Sequence, residues 1–365
     1  MKIICSKENL TEGINIVQKA VSTRTTIPIL EGILIEAGDK VKLTGNDLEI
    51  GIECYVEADV REKGSIVLDS KMFGDIVRRM PDAEILIEVK ENNNVSIECE
   101  NSYFEIRGLS PEGYPALASI PKEKGIKLSQ KVVKDMIRQT IFAISLDENR
   151  PILTGSLFEK KNGKFTVVSI DGYRLALRRA AIEDDTEDIS IVIPGKTLNE
   201  ISKIIQQVED DMYIYTSGNQ ILFDMGKCIM VSRLLEGEYL NYLGIIPSEY
   251  ETCIKVDTKK LLAAFERASL VITSEERRYP VSLDISGDKV VITSNTEVGK
   301  AREEIFVEAE GKNLEISFNP RYFIEALRVI DNETVNISFT TDIGPCTIKP
   351  VQGDEFAYLI LPIRK

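Results

Sequence analysis

Three stretches of this 365-residue chain are variations on one pattern, and they recur at a fixed spacing. Ser65–Met80 opens as an alternating strand, breaks, and runs on as a helix with cations at Lys71 and Arg78. Ser190–Ile205 repeats this with Lys196 and Lys203, and Leu314–Ile330 with Arg321 and Arg328. Both cations advance by 125 residues at each step. Val41–Thr44, Thr166–Ser169 and Val291–Ser294 keep the same register as strand ends, and Tyr114 and Tyr239 close the first two units. So long a period exceeds any solenoid repeat, and each unit must be a complete domain with its own core. The expected domains are 1–122, 123–248 and 249–365, with linkers near Pro121–Gly125 and Pro247–Tyr250.

Within each unit the apolar periodicity predicts an opening amphipathic helix over 7–21, 130–144 and 258–272. A second helix is predicted over 71–80, 196–208 and 321–330. Short alternating strands fill the rest, separated by hairpin signals at Glu91–Asn94, Lys161–Gly163 and Ser286–Asp288. The fold class is α+β: three tandem copies of one domain, each with two helices packed on one face of antiparallel sheet.

Composition removes whole classes of chemistry. The chain has no histidine, which excludes Ser-His and Cys-His dyads and His-ligated zinc. No Walker motif or dinucleotide fingerprint occurs, and no nucleophile is nominated, so no catalytic residue and no cofactor is expected. The acidic runs Glu183–Asp188, Glu209–Asp211, Glu275-Glu276 and Glu303-Glu304 each lie in one segment. A two-metal site needs carboxylates converging from several strands, not adjacent in one loop; Glu183–Asp188 reads as a solvated turn, and no metal is expected. The first residues lack a signal h-region, and no run approaches a membrane span. Six scattered cysteines without a C-x-x-C pair read as buried, inert thiols of a reducing, cytoplasmic protein.

A net charge of −14 argues at first against nucleic acid. Its distribution reverses that. The six helical windows hold fifteen Lys and Arg against seven Asp and Glu, and the remainder of the chain holds 30 against 52. At 100° per residue, Lys71, Arg78 and Arg79 oppose Phe73 and Val77, and Lys196 and Lys203 oppose Leu198 and Ile201. Lys131, Lys134 and Arg138 oppose Val133 and Ile137, Lys259, Lys260 and Arg267 oppose Leu261 and Phe265, and Arg321 and Arg328 oppose Phe323 and Leu327. Any one such face is an ordinary solvated helix. Such faces recurring through an acidic chain predict an electropositive surface for the phosphate backbone of duplex DNA. Clusters for base readout and interleaved aromatics are missing, so no sequence preference is expected.

Five further segments bear on identity: Ile27-Pro-Ile-Leu30, Asp171-Gly-Tyr-Arg-Leu-Ala176, Glu236-Gly-Glu-Tyr-Leu-Asn-Tyr242, Phe318-Asn-Pro-Arg-Tyr322 and Tyr358-Leu-Ile-Leu-Pro-Ile-Arg364. In this order, with the threefold repeat, the chain resembles the bacterial DNA polymerase III β subunits, the sliding clamps of replication. That resemblance implies a non-enzymatic processivity factor, a head-to-tail homodimer closing into a ring of six similar domains around duplex DNA. It implies a clamp loader, the replicative DNA polymerase and other proteins with clamp-binding motifs as partners. The partner peptide would sit on Leu153, Ile170, Gly172, Tyr173, Arg174, Leu175, Leu240, Ile245, Asn319, Tyr322 and the tail Leu359, Ile360, Leu361, Pro362, Ile363 and Arg364. Tyr173 and Leu240 stand where the family commonly has histidine and proline. The resemblance adds Arg24 to the DNA contacts. It places Phe104, Ile106 and Arg107 of one subunit against Leu270, Val271, Ile272, Glu303 and Glu304 of the other. The alternative is a monomeric peptide-binding adaptor that does not encircle DNA.

Overall fold

The computed structural model describes residues 1–22, 25–182, 187–272 and 280–363. Six α-helices form: α1 (Lys7–Val17), α2 (Ser70–Arg79), α3 (Gln130–Arg138), α4 (Gly195–Ile204), α5 (Thr258–Ala268) and α6 (Pro320–Arg328). Each expected opening helix ends early and continues as a 3-10 turn, at Gln18–Ala20, Ile141–Ala143 and Ser269–Val271. Helix α4 stops before the predicted 208. Gln206 donates its backbone N–H to the Gln130 side chain, and Val208 offers its carbonyl to Lys131 N–H, at 3.1 and 3.0 Å. Those bonds to the start of α3 replace helix continuation. Four helices start on a side-chain cap that satisfies an orphan N–H: Ser6, Asp69, Asp257 and Asn319.

Contacts divide the chain into two compact units, residues 1–131 with 203–234 and residues 132–202 with 235–365. The division does not follow the repeat, because sheets run from one repeat into the next. In the first unit, an eight-stranded antiparallel sheet joins the second repeat to the first where Cys228–Arg233 pairs with Ile50–Val56. In the second unit, a nine-stranded sheet joins the second repeat to the third where Arg174–Ala181 pairs with Phe356–Ile360. Each unit also holds a sheet of its own, five-stranded in the first and four-stranded in the second. In the first unit both helices pack on the eight-stranded sheet, α1 against Val41–Asn46 and Ile50–Val56 and α2 against Gly32–Ala37.

The core of the second unit stacks Phe265 of α5 on Phe323 of α6, ring centroids 4.5 Å apart, with Phe318 edge-on to Phe323. The two repeat tyrosines are interior braces. Tyr114 donates its hydroxyl to the Thr44 carbonyl at 3.1 Å, and Tyr239 to the Val168 carbonyl at 3.3 Å. Burial raises both phenols well above the ordinary tyrosine range. The Lys161–Gly163 signal is a two-residue hairpin in which Asn162 and Gly163 both take positive φ, 51° and 70°.

The cysteine expectation is corrected at the first seam. Cys54 and Cys228 face each other in register, Cα atoms 4.2 Å apart, and are joined as a disulfide. Their sequence separation of 174 hid a proximity that only the merged sheet creates. Cys5, Cys99 and Cys346 are buried thiols as expected, and Cys253 is half-buried. Burial pushes the Cys5 thiol up to about 11. Among the described residues no helix is long and apolar enough to cross a membrane.

Candidate functional site

The turn Asp171-Gly-Tyr-Arg174 organises a cleft. Asp171 Oδ1 accepts the backbone N–H groups of Tyr173 and Arg174 at 2.9 and 3.0 Å, and Gly172 takes φ +94°, where a Cβ would strain the turn. This throws Tyr173 outward and turns Arg174 inward. Arg174 is only 7% exposed and every face of its guanidinium is used. Nε donates to Asp171 Oδ2 at 3.0 Å, Nη1 to Glu325 and Nη2 to the Phe142 carbonyl. The guanidinium carbon lies 4.6 Å from the Tyr322 ring centre and 5.2 Å from that of Phe142. Tyr322 in turn stacks on Tyr173, centroids 6.5 Å apart and planes 21° from parallel.

Around this network lies a cleft of about 800 Å³, walled by Phe142, Ile144, Leu146, Tyr173, Tyr322 and the arginines 150, 174 and 321. Gly172, Tyr173, Arg174 and Tyr322 were expected here. Phe142, Ile144, Arg150, Asn199, Arg321 and Glu325 were not assigned to it. They come from segments far apart in sequence, and no local pattern marks them. Burial would raise the Glu325 carboxyl, but hydrogen bonds from Arg321 and Arg174 outweigh it and hold the group below its ordinary value.

The other expected groove residues fall into four sets. Leu153, Ile170, Leu175, Leu359 and Ile360 are core, each at most 4% exposed, and do not line the cleft. Leu240 and Ile245 are exposed apolar side chains flanking the buried Tyr242. Asn319 spends its side-chain oxygen capping α6, accepting from Arg321 N–H at 3.0 Å. The tail is pinned by backbone: Leu361 N–H donates to the Tyr173 carbonyl at 2.9 Å and Ile363 N–H to that of Ser317 at 2.8 Å. Pro362 is half-buried between them.

Lys71, Arg78, Arg79, Lys196, Lys203, Lys259, Lys260, Arg267, Arg321 and Arg328 are all on exposed helix surface, as is Lys131, while Lys134 and Arg138 are half-buried. Charge counting overstates the field they make. Arg78 pairs with Asp75, Lys131 with Glu209, Arg267 with Glu303, Arg321 with Glu325, and Arg328 with Glu266. Arg138 is tied to Asp135 and Asp331 and donates to the Val329 carbonyl, bracing α3 against the end of α6. Lys71, Arg79, Lys259 and Lys260 make no ion pair with any described residue. Arg24, Arg364, Glu275-Glu276 and the stretch 183–186 lie outside the described residues.

Phe104, Ile106 and Arg107 sit on Ser102–Arg107, an edge strand of the five-stranded sheet. Glu303 and Glu304 sit on Lys300–Phe306, an edge strand of the four-stranded sheet. Leu270 and Val271 lie in the 3-10 turn after α5, and Ile272 ends it. Leu270 is 81% exposed and Phe104 44%.

Comparison with known proteins agrees with this architecture. The DNA polymerase III beta subunit N-terminal domain matches residues 1–118, the central domain 127–241 and the C-terminal domain 244–364. The beta sliding clamp of Halalkalibacterium halodurans is 39% identical over 379 residues, covering all of both chains. Among solved structures, a DNA polymerase III beta subunit from Eubacterium rectale superposes with a TM-score of 0.96 at 41% identity, covering all of both chains. The sliding clamp of Bacillus subtilis superposes equally well at 37% identity, covering all of this chain and 99% of that one. The chain is a member of the DNA polymerase III beta subunit family, the bacterial sliding clamps.

Proposed function

We propose that this protein is a DNA sliding clamp, a non-catalytic factor that encircles duplex DNA without sequence preference and tethers the replicative polymerase and other partners. The observation that carries the reading is an unfinished repeat. The seam strands Cys228–Arg233 and Phe356–Ile360 each pair with the strand that opens at Ile50 or Arg174 in the neighbouring repeat. The equivalent strands in the remaining positions are Ser102–Arg107 and Lys300–Phe306, and within the described residues each has a neighbour on one side only. Open edges with exposed Phe104 and Leu270 beside them call for a partner. Two copies joined head to tail supply it at two junctions and close a ring. Phe104, Ile106 and Leu270 to Ile272 would form its apolar centre, with Arg107, Glu303 and Glu304 on the rim. The three domains are taken as 1–122, 123–248 and 249–365, with the helix cations facing the DNA. The partner peptide is taken to lie along the Asp171–Arg174 turn, Leu240, Ile245 and the tail, an apolar groove with a few polar anchors.

Topology provides the test. Protein placed by a clamp loader on nicked circular duplex should remain at salt that abolishes direct binding, and should leave when one cut linearises the circle. Loss from circles and linear molecules at the same rate would leave only electrostatic association and favour the monomeric adaptor. The paired change Leu270→Ala with Ile272→Ala should convert dimers to monomers in sedimentation. A wild-type chain that is monomeric at micromolar concentration would refute the ring.

A further inference from the structure

We propose that Glu325 couples the two binding functions, so that DNA on the helix face tightens the peptide groove; the inference rests on the clamp reading above. Helix α6 carries residues of both sites within two turns. Arg321 stands at the rim of the cleft, 63% exposed with its guanidinium open to solvent, and Tyr322 lines the cleft beside it. Glu325 lies one turn on and its two oxygens are divided between them. Oε1 accepts from Arg321 Nε at 2.6 Å, and Oε2 accepts from Arg174 Nη1. Arg174 carries the connection into the groove, because its guanidinium lies on the Tyr322 ring and Tyr322 stacks on the exposed Tyr173.

One carboxylate shared by two cations is a divided charge. A DNA phosphate at Arg321 competes with Glu325 for that guanidinium, since both make charge-assisted bonds to it. As Arg321 turns to phosphate, the Glu325 charge is compensated by Arg174 alone and holds it harder. Arg174 has almost no exposed surface through which water could screen the change. The Arg174–Tyr322–Tyr173 wall is then fixed before peptide arrives, and less ordering is left for binding to impose. By linkage, peptide must favour DNA by the same factor. The lowered pKa of Glu325 fits a carboxylate held ionised by both arginines.

The assay is fluorescence anisotropy of a labelled synthetic peptide copying the polymerase C-terminal tail. It is titrated with full-length protein at low salt, with and without saturating short duplex, whose own binding is followed by a second dye. The expected result is about fivefold tighter peptide binding with DNA, the low end of ordinary coupling. Each variant serves as its own DNA-free reference. Glu325→Gln and the surface change Arg321→Met should bring the ratio to about one, whereas Arg328→Met, which removes a cation of the same helix paired elsewhere, should keep it. An unchanged peptide affinity on adding DNA to the wild type overturns the coupling and leaves the clamp reading standing. So does a ratio that survives Arg321→Met, or that Arg328→Met removes equally. Failure of peptide or duplex to bind the wild type at all would remove the functional reading and the coupling together.

Discussion

Replacing Arg174 by alanine should be the most damaging single change in the cleft. The side chain is 7% exposed and bonds to two carboxylates and a carbonyl while stacking between two rings. Removing one partner of a buried ion pair costs about 3–5 kcal/mol, because the other charge is left without compensation. Neither carboxylate here is left wholly alone. Asp171 keeps two backbone N–H donors and Glu325 keeps Arg321. That places the loss at the low end, about 3 kcal/mol. Spread over a compact unit of about 200 residues, this lowers the melting temperature by roughly 6–12 °C. Scanning calorimetry of the two proteins at neutral pH reads it directly. Arg174→Lys should recover only part of the loss, since an ammonium restores the point charge but not the flat stacking on Tyr322 and Phe142. A melting temperature of Arg174→Ala within about 1 °C of the wild type would show that the network adds nothing net.

Deleting residues 361–365 should abolish binding of a polymerase-tail peptide and leave the solution mass unchanged; unchanged affinity on a titration would put the groove elsewhere. Tyr114→Phe removes a buried hydroxyl donor and should cost about 1 kcal/mol in urea unfolding, with a smaller loss for Tyr239→Phe, whose bond is longer. Glu325 is held below its ordinary value near 4.5, so its stabilisation is complete above that pH and is lost as pH falls through the lower folded value. Wild-type stability should therefore drop more steeply than that of Glu325→Gln as pH falls below about 4.5, and parallel curves would contradict the pairing.

Much of this protein was legible in one dimension because much of it is periodic. The six helices declared themselves by 3.6-residue spacing, with Lys196 and Lys203 opposite Leu198 and Ile201, and α4 begins one residue from its expected start. The hairpin at Asn162-Gly163 is local as well, settled by φ preferences within two residues. Family membership was legible through ordered short segments and the 125-residue repeat. What sequence did not carry is everything made by strands meeting across repeats. Nothing near Cys54 announces Cys228, and their pairing exists only because two repeats share a sheet. Phe142, Arg174, Tyr322 and Glu325 form one network although 151 residues separate the arginine from the glutamate that binds it. Helical and strand periods arise from backbone geometry within a few residues, so any window of sequence records them. Which distant faces then meet is decided by burial of those faces together. For that reason the cleft walls at Phe142, Arg150 and Asn199, the carboxylate shared by Arg174 and Arg321, and the seam between Cys54 and Cys228 became visible only in the folded chain.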